Sequence, residues 1–522
     1  MSNTNKIVIV GGGSAGWMTA ATLIRFFPNK DISVIESKDV PTVGVGESTL
    51  GQITGWLEML DIKQDDFMKE TDASLKMSIK FTDWAGKDTG GFHYPFGTSW
   101  VVGTSFGVND WFMKKSKYPD TPVEDFVDCF FPAMQLVHQN KILKNDNNEL
   151  PGWRYNIDVA YHFDATKFGA WLREEYCKPR GVKHIVGTIK EDVAVNDTGV
   201  EYVELTTGEK ITADVYIDCT GWKSLLLGKA LKVPFESYSD ILPNDTAWAT
   251  RLPYNNKETQ LEGYTNCTAI ENGWVWNIPL WSRIGTGYVF SSKYVSNEDA
   301  LEQLKTHLKK TNTSEVVDSL EYRLIDMRIG IHKELFHKNV CAIGLSAGFI
   351  EPLESNGLFT VHEFLQKLVK TLSRDTIGSI DKLGFSAACR GDFRAFAEFV
   401  AIHYLLNTRN DTQYWRDARD RHIDVSEVAG NYKQYGFDNL IYKRDVLSQF
   451  DESNGGALFI AAGLNYFPIV ENNIKHSEFK FNHSLNYVED AFEIWENNKE
   501  HWKSVADTAP TLYQFLKDKY NE

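Results

Sequence analysis

Positive charge is in short supply: 55 Lys plus Arg stand against 71 Asp plus Glu, a formal charge of -16 at pH 7. Nucleic acid is held largely through its phosphates, and a protein of this sign repels them, so nucleic-acid binding is set aside. Cysteine is also sparse. The six residues Cys129, Cys177, Cys219, Cys267, Cys341 and Cys389 never form a CxxC pair, which argues against a zinc ribbon or dithiol centre. Reduced thiols, a cytoplasmic location and no metal are expected. The apolar run near the start, Ile7 to Val10, is too short for a signal-peptide core or a bilayer span, so no membrane association is expected. Internal repeats, low-complexity tracts and long Pro/Gly/Ser linkers are missing as well, which leaves a single compact body.

What is present suits an enzyme. A chain of 522 residues allows two to four domains, or one large catalytic fold with insertions. The first fifty residues read as strand (Lys6 to Val10), glycine-rich turn, helix (Gly16 to Phe27) and strand (Ile32 to Glu36), a βαβ unit that implies a parallel sheet. Two further apolar strands, within Val200 to Cys219 and Asn339 to Gly344, end in small-residue turns, so three strand ends converge. Beyond about residue 360 the apolar period becomes helical, in Val361 to Leu372 and Phe393 to Leu406. The expected organisation is an α/β core over residues 1–395 and a mostly helical region over 396–522 that contributes to a substrate wall. Aromatic residues make up 13% of the chain. Most are core, and the number alone assigns no function.

Gly11-Gly12-Gly13-Ser14-Ala15-Gly16 places GxGxxG directly after a strand and at the start of a helix. There Gly11 permits the tight turn, Gly13 lets backbone approach a pyrophosphate and Gly16 allows close helix packing. The backbone N–H groups of Ser14 and Ala15 at the helix start offer hydrogen bonds to the phosphates. Glu36, at the end of the next strand, is placed to bind an adenosine ribose. The turns Asp218-Cys219-Thr220-Gly221 and Gly344 to Gly348 resemble later contact points of FAD monooxygenases of the hydroxybenzoate-hydroxylase type. They favour FAD over NAD, although Leu345-Ser346 departs from the Gly-Asp usual there.

Three stretches resemble the flavin-dependent halogenases, especially the tryptophan halogenases. Gly273-Trp274-Val275-Trp276-Asn277-Ile278-Pro279 contains WxWxIP, the most specific match, which as a strand also puts both indoles on one face. Gly348-Phe349-Ile350-Glu351-Pro352-Leu353-Glu354-Ser355-Asn356-Gly357 is similar to the family's GFxEPLExxG segment. Lys76-Met77-Ser78-Ile79-Lys80-Phe81-Thr82-Asp83-Trp84 resembles the strand that carries its lysine. Spacing alone does not separate Lys76 from Lys80; the resemblance is read as pointing to Lys80. Shorter matches are Val43 to Thr49, Tyr161-His162-Phe163-Asp164-Ala165 and His403-Tyr404 with Arg409 to Arg416.

The resemblance implies an FAD-binding Rossmann-like core of the flavin-monooxygenase type. It also implies an enzyme that uses reduced FAD and O2 to oxidise chloride, bromide or iodide to hypohalous acid. Lys80 and Glu354 fall on the catalytic positions, with the backbone N–H groups of Asn356 and Gly357 at the halide. Gly46, Ser48, Gly344 and Phe349 join the glycine loop and Glu36 in holding the cofactor, and His93 and Phe96 face an aromatic substrate. A separate flavin reductase is the implied partner, and a homo-oligomer is expected on general grounds. Phe450 to Gly456 has no Trp after Ser453, which weakens the case for free tryptophan and leaves an indole, phenol or similar ring. An FAD monooxygenase of aromatics and a non-catalytic flavoprotein are the alternatives.

Overall fold

The computed structural model describes residues 4–39, 47–99, 111, 114–115, 117–421, 423, 452–465 and 485–521. Its nucleotide-binding layer is a six-stranded sheet. The strand order is Phe336–His337, Val340–Ala342, Val215–Asp218, Lys6–Val10, Asp31–Glu36 and Lys183–Val186. All neighbours are parallel except the first pair. Ile7, Val8, Ile9, Tyr216 and Ile217 have no solvent exposure, as expected of parallel strands covered on both faces. Val10 pairs with Asp218 and Asp218 with Ala342, so three strands end level. The turns that follow them therefore open at one edge of the sheet, as the sequence pattern implies, and the chain has the mixed α/β architecture expected of it.

A second, mostly antiparallel sheet has seven strands. Their order is Arg323–Asp326, Thr246–Leu252, Ile284–Phe290, Gly273–Pro279, Tyr264–Ile270, Ser78–Thr82 and Gly91–Pro95. A small third sheet pairs Ala160–Phe163 with Glu47–Ser48 on one side and Ser74–Lys76 on the other. Met77 lies between Ser74–Lys76 and Ser78–Thr82, so the chain changes sheets at this residue.

Helices Gly357–Leu372 and Ser379–Leu405 follow the core. The second runs through position 395, so the expected division between 395 and 396 falls inside a continuous helix whose apolar pattern begins well before it. Among the described residues beyond it, helices Gln413–Arg419, Glu452–Gly463, Leu485–Asp507 and Leu512–Tyr520 dominate. The last is tied back to the core, where the Tyr520 hydroxyl donates to the Ala73 carbonyl (2.7 Å). Among the described residues no helix is long and apolar enough to cross a membrane, and all six cysteines are free thiols.

Solvent does not reach the carboxyl of Glu351 in the core. Its Oε2 accepts from Asn244 Nδ2 (2.6 Å), and the Tyr404 hydroxyl and Trp274 indole lie beside it. Burial pushes its pKa from the ordinary 4.5 up to about 7, with those hydrogen bonds opposing the shift. The folded chain therefore holds this proton more tightly than the unfolded one. The associated stability is present below about pH 4.5 and is lost as the pH rises through about 7. We expect Glu351→Gln, which mimics the protonated form, to remove a pH-dependent loss of about 1–3 kcal/mol between pH 5 and 8. Urea unfolding of both proteins at the two pH values checks this, and equal losses in the two would rule it out.

Candidate active site

The glycine loop is shaped by contacts that no side chain would permit. Gly11 has φ +115°, and a Cβ there would lie 2.2 Å from the Cys219 carbonyl oxygen. A Cβ on Gly16 would lie 1.9 Å from the Gly11 oxygen, so strand, turn and helix meet only through glycine. Gly13 caps helix Ser14–Phe26 in an extended conformation with no side-chain cap, leaving the first N–H groups, those of Ser14 and Ala15 included, for a ligand. The Ser14 hydroxyl itself turns away to donate to the Ala165 carbonyl (3.0 Å). The second turn is organised by Asp218, which accepts from Thr220 N (3.0 Å), Leu226 N (2.8 Å) and Leu227 N (2.9 Å).

These turns border a cavity of about 660 Å³ that also reaches Ser48, Gly344, Phe349, Asn356 and Gly357. Gly344 enters it with φ +75°, close against Ala15. Phe349 meets Trp222 edge-on at 4.9 Å. Glu36 stands at the rim, anchored by Arg173 Nη1 (3.2 Å) and approached by His184 Nε2 (2.8 Å). A cavity of this size, with a Gly-only turn and a free helix N-terminus at one end, fits a dinucleotide as large as FAD. Gly46 lies outside the described residues.

At the other end of the cavity a short turn, Pro352–Glu354, leads through Ser355 (φ +58°) and Asn356 into helix Gly357–Leu372. The Ser355 N–H is spent on the Pro352 carbonyl (3.0 Å), and Asn356 and Gly357 then open the helix, whose N-terminal N–H groups favour an anion. Asn356 is 2% exposed and its Oδ1 has no partner. Glu47 Oε2 stands 3.6 Å from where a Cβ of Gly357 would be. Its pKa is pushed up to about 7 by burial and the Asp164 carboxylate, which lessens the negative charge beside an anion here near neutrality and removes it at lower pH.

Glu354 is 1% exposed, and its Oε1 lies 2.7 Å from Nε2 of the equally buried His403. This approach is bent away from the ring's N–H axis. His403 Nδ1 faces the Val400 carbonyl at 3.2 Å, which assigns the Nδ1 hydrogen and leaves Nε2 to exchange a proton with the carboxyl.

The two lysines part company here. Lys76 has no solvent exposure; its Nζ donates to the Thr49 carbonyl (2.9 Å) and to Ser355 Oγ (2.8 Å), one residue from Glu354. Burial lowers its pKa to about 7, opposed by attraction to Glu354 and Cys267. Lys80 lies on the far face of the seven-stranded sheet, opposite His93 in register and with its Nζ 5.7 Å from the centre of the Tyr264 ring. The structure thus brings Lys76, not the expected Lys80, to Glu354. Strict alternation would put both on one face, but it applies only within a sheet, and the chain leaves one sheet for another at Met77.

The same geometry divides the expected substrate wall. Phe96 lies under Lys76, with Nζ 5.0 Å from its ring centre. His93 points the other way, bound to Ser78 Oγ (3.0 Å) and edge-on to Tyr264 and His138. Tyr94, on the Phe96 side by alternation, meets Phe399 and Phe459 and senses the Glu354 charge. Spacing left Lys76 level with Lys80, the pairing of His403 with Glu354 carried no sequence signal, and side-chain parity counted from Phe96 puts Tyr94 on the same side. Phe450 and Asp451 lie outside the described residues, and helix Glu452–Gly463 carries the rest of that stretch. The indoles of WxWxIP, Trp274 and Trp276, border the cavity 6.3 Å apart, and Gly287 opposite Trp276 leaves room for its ring.

The chain is similar to known proteins over most of its length. A family profile described as tryptophan halogenase matches residues 6–469. The chain is 36% identical over 443 residues to tryptophan 6-halogenase SttH of Streptomyces toxytricini, covering 81% of this chain and 82% of that one. It is 28% identical to tryptophan 7-halogenase RebH of Lentzea aerocolonigenes, over 99% of both chains. Among solved structures, apo VirX1 superimposes with a TM-score of 0.91 at 36% identity, covering 99% of this chain and 100% of that one.

Proposed function

Starting from the fact that the chain belongs to the tryptophan halogenase family of flavin-dependent halogenases, we propose that it uses FADH2, O2 and a halide to halogenate an electron-rich ring of the tryptophan or indole type. The observation that carries this reading is the fully buried amine of Lys76, held against the Ser355 hydroxyl and beside Glu354 at the halide-binding end of the cavity. Reduced FAD, when bound, supplies with O2 the two-electron oxidation of halide to hypohalous acid. Gly11, Gly13, Gly16, Gly344 and Phe349 shape its cradle, and the N–H groups of Asn356 and Gly357 hold the halide.

Lys76 then takes charge of the oxidant. As an ammonium it donates a hydrogen bond to the oxygen of hypohalous acid; as an amine it takes the halogen and releases water. Its pKa of about 7 makes both forms available near neutrality. When the ring carbon gains halogen it must lose a proton, and the Glu354–His403 pair is placed to accept it. The sheet and helix around Phe96 and Tyr94 shield this end from bulk water, so the oxidant meets the ring before it diffuses away. FADH2 is supplied by a separate flavin reductase, and a flat indole fits the aromatic wall.

Mass spectrometry of reactions holding the protein, FAD, a flavin reductase with NADH and indoles or phenols, with each halide or none and with catalase present, tests this. Halogenated product in the presence of halide is expected, and oxygenated product formed equally without halide would overturn the reading.

A further inference from the structure

The Tyr161 to Ala165 motif has no part in the chemistry above, yet its histidine lies at the end of a buried chain of hydrogen bonds that reaches Lys76. From Lys76 Nζ the contacts run to Ser355 Oγ (2.8 Å), on to Ser48 Oγ (3.0 Å), Thr265 Oγ1 (2.6 Å) and His162 Nε2 (2.8 Å). Four separate segments supply these groups, and none is more than 6% exposed.

Hydrogen counting gives the chain one direction. His162 Nδ1 faces the Pro279 carbonyl (3.2 Å) and Ser74 Oγ (3.2 Å), and the Ser74 hydroxyl donates to that same carbonyl. A carbonyl only accepts and the Ser74 hydrogen is already used, so Nδ1 carries the imidazole hydrogen and Nε2 is an acceptor. The Thr265 hydroxyl must then donate to Nε2 and accept from Ser48. Ser48 in turn accepts from Ser355, which leaves the Ser355 lone pair facing Lys76.

We propose that His162 is a positioning residue for halogenation: as the acceptor terminus of this relay it orients the Ser48, Thr265 and Ser355 hydroxyls so that Ser355 always accepts from Lys76. This rests on the reading of Lys76 as the group that handles the oxidant. A lone pair aimed at Nζ favours the ammonium, offsetting part of what burial takes away. Three other groups face Lys76: Glu354 from its turn and Cys267 from the strand Tyr264–Ile270 favour its charge, and His162, buried and neutral, sits behind the hydroxyls. Linked hydroxyls polarise one another, so a change at the far end is felt at the near one. Without an acceptor at position 162, the Thr265 hydroxyl is free to donate to Ser48, the chain reverses, and a hydroxyl hydrogen confronts Lys76.

The test is the pH profile of halogenation in His162→Phe, His162→Gln and Thr265→Val, with flavin fluorescence quenching and thermal unfolding measured on each. In His162→Phe the limb set by Lys76 should move about one unit to lower pH, a tenfold change in the amine–ammonium ratio. Thr265→Val, which cuts the relay in its middle, should show the same shift even if the histidine variant folds poorly. His162→Gln, whose amide oxygen can accept from Thr265, should restore the parent profile. Profiles of His162→Phe and Thr265→Val that superimpose on the parent would overturn the relay while leaving Lys76 its role. A Lys76→Met enzyme that still halogenates would overturn the underlying reading, and the relay with it.

Discussion

Lys76→Met should lower halogenation by at least about 10²-fold, the usual scale for losing a positioned group that handles protons or a reactive oxidant. Lys80→Met should leave turnover within about threefold of the parent, because Lys80 sits by Tyr264 and His93 across the sheet from Glu354. Methionine keeps the length of the side chain but withdraws the donors to the Thr49 carbonyl and Ser355 Oγ, so a stability loss of about 1–3 kcal/mol is expected. FAD binding separates the two effects: the cradle is built from Gly11, Gly16 and Gly344, and flavin quenching should be unchanged in both variants. Product formed per flavin bound is the quantity to compare. Equal activity in the Lys76 variant and the parent would return the role to Lys80.

That contrast also shows what local pattern can and cannot reveal. The βαβ unit was legible because strand, Gly-rich turn and helix follow one another in the sequence, and the close approaches of Gly16 to Gly11 and of Gly12 to Glu36 lie within it, whereas that of Gly11 to Cys219 does not. Level strand ends at Val10, Asp218 and Ala342 were implied by three apolar strands ending in small residues. The turn around Glu354 was legible for the same reason, being continuous in sequence. Lys76 was not, because period-two reasoning assumes one sheet and the chain crosses between two at Met77. Register likewise places His93 opposite Lys80, a position that local pattern does not reveal. The pairing of Glu354 with His403, and of Ser48 with Thr265 and Ser355, joins residues far apart in the chain whose types are ordinary. Only the folded arrangement distinguishes them from any other buried serine or histidine.

Glu354→Gln should reduce halogenation by about 10²-fold or more with FAD binding retained, and its pH behaviour should be diagnostic. Glutamine fits the space and its amide nitrogen can face His403 Nε2, so the 1% exposed site need not collapse. It cannot accept the proton that the ring gives up, and it removes the negative charge beside Lys76. That charge raises the Lys76 pKa against burial, so without it the ammonium is less favoured and the Lys76 limb should move to lower pH. His403→Gln leaves the charge in place and should depress turnover with a smaller shift of that limb. Rate against pH for the two variants therefore separates loss of a proton acceptor from loss of a charge. A Glu354→Gln enzyme with parental turnover and an unmoved limb would exclude the carboxylate from both tasks. A shifted limb with turnover preserved would confine it to the electrostatic one, leaving the ring proton to water or to Lys76 itself.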